Sequence, residues 1–416
     1  MRMGEAAVKD RCRSMALAAL LWTGVSAAEP PALRTDGSTQ ILWQRVFASK
    51  GDDWINEMMP LRDGSVMAVG FLDRVDGGDS DWRALAVQLD RDGKLLARHE
   101  YGAGGGIDAF WNVIESRDGR LAFSGFTTRI GAGGIDAWAL LADAQGRMTA
   151  DKSFGGTGYD RFTDHVMTAD GGYLWVGHTQ DPGSAPRHML IVKTDADGNE
   201  QWRRTGSGSK ADPLLYIEPS GDGGFIVAGG YEDDVLVMKI DAAGKEVWRQ
   251  TIGTPGRVDN DHGLVVLPDG EIVVVGYTES WGAGSNDLFA ATLSPSGAIQ
   301  RIETFGGSAD DRAILAKADP KGRVWIVGYT KSASFGGWDI IVTRLDRGGG
   351  FAGNATIIGS AQDDNGTAVL PLRDGSLLIG GYSRSLGAGG EDAFVARISA
   401  PEWRGKSSFL KINRVR

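Results

Sequence analysis

Cysteine is nearly missing from this 416-residue chain: Cys12 is the sole example. It sits ahead of a short apolar run with no lipobox around it, so a lipid anchor is not expected. Everything downstream lacks a thiol, which excludes a disulfide framework even where the compartment would allow one. Stability must come from a large core, which a chain this long can supply. Histidine is scarce too, with five in the chain. There is no Walker loop, nucleophile elbow or HExxH, so no local motif names a reaction. No segment is long and apolar enough to cross a membrane as a helix. No stretch carries a useful helical period, which excludes helical solenoids. Positive charge is in deficit: the formal net charge is −10. That disfavours nucleic acid and anionic lipid and favours cationic partners, although moderate acidity also serves solubility alone.

The N-terminus stands apart. Arg2, Lys9, Arg11 and Arg13 precede the apolar run Met15 to Trp22, and Val25, Ser26, Ala27 and Ala28 follow. A basic start, a short apolar stretch and small residues read as a cleaved secretory signal over 1–28; a disordered cytosolic N-terminus is the alternative. The expected location is periplasmic or secreted. Residues 1–28 hold four basic and two acidic groups, so the remainder carries −12. Residues 29–40 read as a linker, 41–400 as one repeated domain, and 401–416 as a basic tail with Arg404, Lys406, Lys411, Arg414 and Arg416. A frayed terminus is the default for such a tail.

What is present is a period. Segments like DGGYLWVGHT, Asp170 to Thr179, recur seven times and place Gly70, Gly125, Gly177, Gly229, Gly276, Gly328 and Gly381 at intervals of 55, 52, 52, 47, 52 and 53 residues. Each repeat has four strand signals joined by turns. In the third, DHVMTA leads to a DGG hairpin signal, then YLWVGHT, MLIVKTD, the turn ADGN and EQWRRTG. Four antiparallel strands repeated radially make a β-propeller, because a single blade cannot bury both of its faces. The fold expected is all-β, a seven-bladed propeller of four-stranded blades. The seventh repeat stops after its third strand, AFVARIS. ILWQRVF, Ile41 to Phe47, resembles a fourth strand with no blade before it. The N-terminal strand is therefore expected to complete the last blade, with the C-terminal tail as the rival. A monomer is expected, since a closed ring has no free edge.

The chain resembles bacterial secreted β-propellers built from DGG-apolar-VGYT…GxGGxD…KLDxxGxxxW repeats. KTDADGNEQW and KIDAAGKEVW are also similar, distantly, to quinoprotein propellers. The resemblance covers nearly all of 41–400 and implies the fold and little function. The repeats are longer than quinoprotein blades and carry no cofactor signature, so no quinone site is carried over.

Two aspartate series stand out. Ten residues before each hairpin aspartate (or Lys321) lie Asp53, Asp108, Asp160, Asp212, Asp259, Asp311 and Asp364; eleven after the repeat glycine lie Asp81, Asp136, Asp287, Asp339 and Asp392. Both fall in loops at one end of the propeller. The simpler reading is turn chemistry, with aspartate bonding its own loop beside glycines. The functional reading is an anionic mouth for a cationic ligand or a divalent metal such as calcium, although no Asp-x-Asp-x-Asp-Gly loop is present.

Function is sought where one blade breaks the pattern. In blade 3, His188 replaces the second-series aspartate, the loop DPGSAPRH brings Arg187, and His178 stands where other repeats have Phe or Tyr. Asp160, His178 and His188 are candidate metal ligands. His178, His188, His262 and Asp164 are candidate catalytic groups. Asp160, Arg187, Tyr216, Glu57, Asn112 and Trp111 are candidate ligand contacts, with Trp54, Trp281 and Trp338 near the same end. A histidine replacing tyrosine also serves as packing, and such tryptophans also wedge between blades. Blade 4 lacks the long loop after its second strand, which predicts a notch in the rim. Two functions are carried forward. One is an exported, non-enzymatic scaffold holding a partner or small ligand on an acidic, loop-rich face. The other is an enzyme (lyase, isomerase or hydrolase, with metal assistance an option) at the same mouth near blades 3 and 5. A quinoprotein-like redox module ranks third.

Overall fold

A computed structural model describes residues 33–75, 81–102, 105–183, 186–206, 210–387, 390–403 and 410–415. The expected signal segment 1–28, Cys12, and Arg404, Lys406 and Arg416 lie outside the described residues. The described chain is all-β and forms seven antiparallel sheets arranged as a β-propeller. No helix among the described residues is long and apolar enough to cross a membrane.

Blade 1 runs outward through strands Asp53–Pro60, Val66–Asp73, Trp82–Leu89 and Leu95–Tyr101. The innermost strands of blades 2 to 7 are Asp108–Glu115, Arg161–Met167, Leu214–Pro219, Asp259–Val266, Asp311–Ala318 and Asp364–Pro371. Middle strands are buried on both faces: every residue of Val66–Asp73, Leu121–Thr127 and Asp136–Ala142 is buried. The fourth strands are the most exposed, as in Glu200–Thr205, where Trp202 alone is half-buried. Each gap between neighbouring blades is therefore an apolar layer. Phe110, Phe123 and Trp138 fill one such layer and Phe162, Tyr173 and Trp175 another. At about 25 cal/mol per Å² of apolar surface, these layers are the main source of stability.

The ring closes as expected. Ile41–Phe47 pairs antiparallel with Asp392–Ile398, placing Val46 opposite Phe394 and Trp43 opposite Arg397. The tail does not take this place. Lys411–Arg414 instead adds to Ile299–Gly306 on the outer edge of blade 5. Within the expected linker, Arg34–Thr35 pairs with Phe351–Gly359 on the outer edge of blade 6.

Each of the seven innermost strands carries a bulge at the same place. In blade 1 the register shifts between Ile55 and Glu57, in blade 3 between Phe162 and Asp164, in blade 5 between Asp261 and Gly263, and the other four follow suit. The bulge presses the carbonyl of the residue after the ring aspartate onto the repeat glycine. A Cβ on Gly70 would lie 1.9 Å from the Trp54 carbonyl oxygen, on Gly276 1.9 Å from that of Asn260, and on Gly328 1.8 Å from that of Arg312. The glycine recurs because nothing larger fits under the bulge.

Gly125→Ala, which would set its Cβ 1.9 Å from the Ala109 carbonyl oxygen, should lower stability by about 3 kcal/mol or more. Gly156→Ala, where no atom lies within 4 Å, should be nearly neutral. Denaturant unfolding of both variants checks the difference; equal midpoints would refute the account of the glycine period.

Candidate functional site

The aspartates at the loop end turn inward. Asp53, Asp108, Asp160, Asp311 and Asp364 are fully buried, as are Asp287, Asp339 and Asp392. Asp311 accepts from the Ser332 hydroxyl at 2.6 Å and the Gly307 N–H at 2.8 Å, and also from the Thr330 hydroxyl. Asp287 accepts from the Ala283 and Gly284 N–H groups, both at 2.9 Å. Gly282, at φ 121°, leaves it room, since a Cβ there would meet its carboxylate at 2.0 Å. Burial pushes Asp53 and Asp339 up to about 6 despite these bonds. Both series thus hold the loops from within. They do not present an anionic rim, because their carboxylates are buried within the loops.

The blade 3 candidates are placed as follows. Asp160 is buried and accepts from the Gly156 N–H at 2.8 Å. His178 is buried, stacks on Tyr159 at 5.5 Å, and has no partner for either ring nitrogen among the described residues. Burial, then the Arg161 and Arg187 charges, hold its imidazole down at about 2, so it stays neutral. The His188 Nδ1 lies 3.0 Å from an Asp212 oxygen, tying it to the next blade's ring aspartate. Among the described residues no group of three or more His, Cys, Asp or Glu side chains is placed to hold a metal ion, and Asp160, His178 and His188 do not converge. Arg187 covers the Tyr159 ring at 5.1 Å. In blade 4 the shortened connection is a tight turn with Glu232 at φ 55°, between strands ending at Tyr231 and starting at Asp234.

The channel candidates do come together. Tyr216 reaches from blade 4 to the Ile314 carbonyl of blade 6 at 3.5 Å. Glu57 of blade 1 pairs with Lys317 of blade 6 at 3.0 Å. Both spans skip a blade and cross the channel. Asn112 donates to Asp164, whose other oxygen accepts from the Ile217 N–H at 2.9 Å. Burial raises Asp164 to about 7 and also raises Glu218, with Lys317 opposing the rise in both. These residues link blades across the channel.

Nearer the mouth lies a position of which sequence reasoning named only Trp54. The position after each ring aspartate holds Trp54, Ala109, Arg161, Pro213, Asn260, Arg312 and Asn365. Trp54 stacks on Tyr382 of blade 7 at 4.3 Å, and the Arg312 guanidinium covers Tyr277 of blade 5 at 4.6 Å and Trp338 at 5.7 Å. The Arg161 guanidinium covers Trp111 of blade 2 at 4.9 Å. His262 stacks on Tyr277 at 5.4 Å. Burial, then Arg312 and Arg161, hold its imidazole down at about 4. Trp111, Tyr277, Tyr329 and Trp338 remain partly exposed. The arrangement places partly exposed aromatic rings and guanidinium groups from several blades at the loop end of the propeller. The one signal available beforehand was blade-to-blade disagreement at the position after the aspartate.

Asp261 is the sharpest departure. It stands where other blades have Ile55, Phe110, Phe162, Leu214, Ala313 and Gly366, is fully buried, and has no partner for either oxygen among the described residues. Burial raises its carboxyl to about 7. A separate cleft of about 570 Å³ is lined by Ser49, Lys50, Arg74, Asp81 and Arg83. There Arg83 already pairs with Asp81 at 2.8 Å and Arg74 with Glu100 at 2.7 Å.

No family model matches the chain, and no curated protein matches it. Solved structures similar in fold include Sqt1 from Chaetomium thermophilum, at 13% identity over 86% of this chain and 87% of that one, with a TM-score of 0.49. The polysaccharide lyase Uly1 is similar at 11% identity over 89% and 99% of the two chains, TM-score 0.47. The NanB sialidase from Streptococcus pneumoniae is similar at 10% identity over 87% and 70%, TM-score 0.43. Likeness of this degree concerns the course of the chain and not its chemistry.

Asp261→Leu restores the apolar residue of the other blades and should stabilise the protein. The folded carboxyl binds its proton up to about 7, well above the unfolded value of about 4. The native state is therefore favoured at low pH and loses stability as pH rises through that window. The gain on substitution should be small near pH 4 and reach about 2–4 kcal/mol at pH 8. Thermal melts of both proteins across this range check it; a pH-independent gain would contradict the titration.

Proposed function

We propose that the protein is an exported, non-enzymatic binding scaffold that holds a small ligand in the mouth of the propeller. One observation carries this reading: partly exposed aromatic side chains from several blades gather at the loop end, while Tyr216 and the Glu57–Lys317 pair make contacts across the channel. Few and well-placed polar groups in an aromatic concavity are the usual make-up of a small-molecule site. Export rests on the N-terminal pattern of basic, apolar and small residues. The histidines fit a scaffold better than a proton shuttle, since His178 and His262 are held neutral by burial and neighbouring positive charge.

A second reading, an enzyme at the same mouth, is favoured by Asp261. A carboxyl titrating near 7 is matched to proton transfer at neutral pH. A bound compound converted by the native protein and untouched by Asp261→Asn would support it.

Ligand-observed NMR with a library of small acids, bases, sugars and neutral ring compounds tests the scaffold reading. Binders should lose affinity by about tenfold or more in Trp111→Ala and Tyr277→Ala, as expected when a stacking surface worth 1–2 kcal/mol is removed. Melting temperatures confirm that both variants fold. Binders unaffected by either change, or none at all, would sink the reading.

A further inference from the structure

We propose that the mouth is an anion site, and that its ligand is a small organic carboxylate whose ring lies against the aromatic wall while Arg161 and Arg312 hold the carboxylate. This rests on the ligand-holding mouth argued above and names the chemistry it selects.

The argument starts from pairing. Elsewhere in the fold, partly buried arginines have carboxylate partners: Arg83 with Asp81 at 2.8 Å, Arg323 with Asp319 at 2.6 Å, and Arg129 with Asp151 at 3.0 Å. Arg161 and Arg312 have none among the described residues, although acids outnumber bases in the chain by 54 to 44. The Nε atom of each is shielded from solvent and lacks a hydrogen-bond partner. Their polar neighbours are tyrosine hydroxyls, Tyr159 beside Arg161 and Tyr329 beside Arg312, which carry no charge at neutral pH. An arginine taken partly out of water without a counter-ion is costly, and such residues are seldom buried unless paired. Aromatic faces recover part of that cost and leave the guanidinium edge free.

The two groups act on one space. Arg161 comes from blade 3 and Arg312 from blade 6, yet both charges bear on the His262 imidazole of blade 5. Between them in the chain, the connection after the second strand of blade 4 is cut to a tight turn at Glu232. Neither is required by the propeller, since the same position holds tryptophan, alanine, proline and asparagine in other blades. The planar guanidinium fork matches a carboxylate in two-point contact, and the partly exposed aromatic side chains around it supply apolar surface for a ring.

Isothermal titration with glucuronate and benzoate, set against glucose and benzyl alcohol, tests this. The acids separate a sugar body from an aromatic one. At least one acid should give saturable binding that weakens with added salt, while its neutral counterpart gives none. Arg161→Gln and Arg312→Gln should each weaken that binding about tenfold or more, as loss of a charge-assisted bond requires. Arg161→Lys and Arg312→Lys should fall in between, and melting curves verify folding. The proposal is overturned if neither acid binds folded protein, or if binding is unchanged in both glutamine variants. Neutral compounds bound as well as acids, with loss in Trp111→Ala, would overturn the anion preference and leave the ligand-holding mouth standing.

Discussion

One backbone contact organises this molecule: the carbonyl after each ring aspartate pressed against the repeat glycine. It occurs in all seven blades, with a would-be Cβ between 1.8 and 2.1 Å from that oxygen. The bulge it accommodates bends the innermost strand where the blades converge. It also sets the direction of the side chains around it. The residue after the aspartate leans toward the preceding blade, as Trp54 does onto Tyr382 and Arg312 onto Tyr277. A feature demanded by the sheet therefore decides what lines the mouth.

The rest of the architecture follows from apolar faces that need covering. A strand such as Asp136–Ala142, buried along its whole length, is stable only with a blade on either side. That need propagates round the ring until Ile41–Phe47 closes it against Asp392–Ile398. Outer edges are handled separately. Lys411–Arg414 covers the edge of blade 5 and Arg34–Thr35 part of the edge of blade 6, which removes two sites for unwanted strand pairing.

The period, the strand count and the closing strand were all legible in the sequence, because each leaves a repeating trace. The aspartate spacing was legible too, but not its direction. A carboxylate that binds its own loop and one that faces a ligand occupy the same position in a turn, and only burial separates them. The parity of Glu57, Asn112, Asp164 and Tyr216 could not be read either. The bulge just before them inserts a residue, and a one-residue shift exchanges the faces of a strand. Arg161 and Arg312 escaped notice because an arginine beside an aspartate reads as a surface ion pair. Here the aspartate is turned into the loop and the arginine is left without it. His178 was visible as an exception, but its partner-free burial on Tyr159 was not.

The channel is electrically layered along its axis. Guanidinium groups of Arg161 and Arg312 sit near the mouth, and the hydroxyl of Tyr216 spans the middle. Glu57 and Asp164 share the register of Tyr216, and Glu218 and Lys317 lie two residues further along their strands, with Lys317 as the single base named among them. The field of the guanidinium groups draws an anion inward, while further along the channel Glu57 and Lys317 offset each other at 3.0 Å and burial favours the neutral forms of Asp164 and Glu218. A cation is repelled by the same guanidinium field. The acidity of the whole chain thus says little about the mouth, since the aspartates that dominate the loop end are enclosed and their charge is opposed by burial. Net charge governs solubility and long-range steering. The sign that a ligand meets at close range is set by the few side chains the blades do not share.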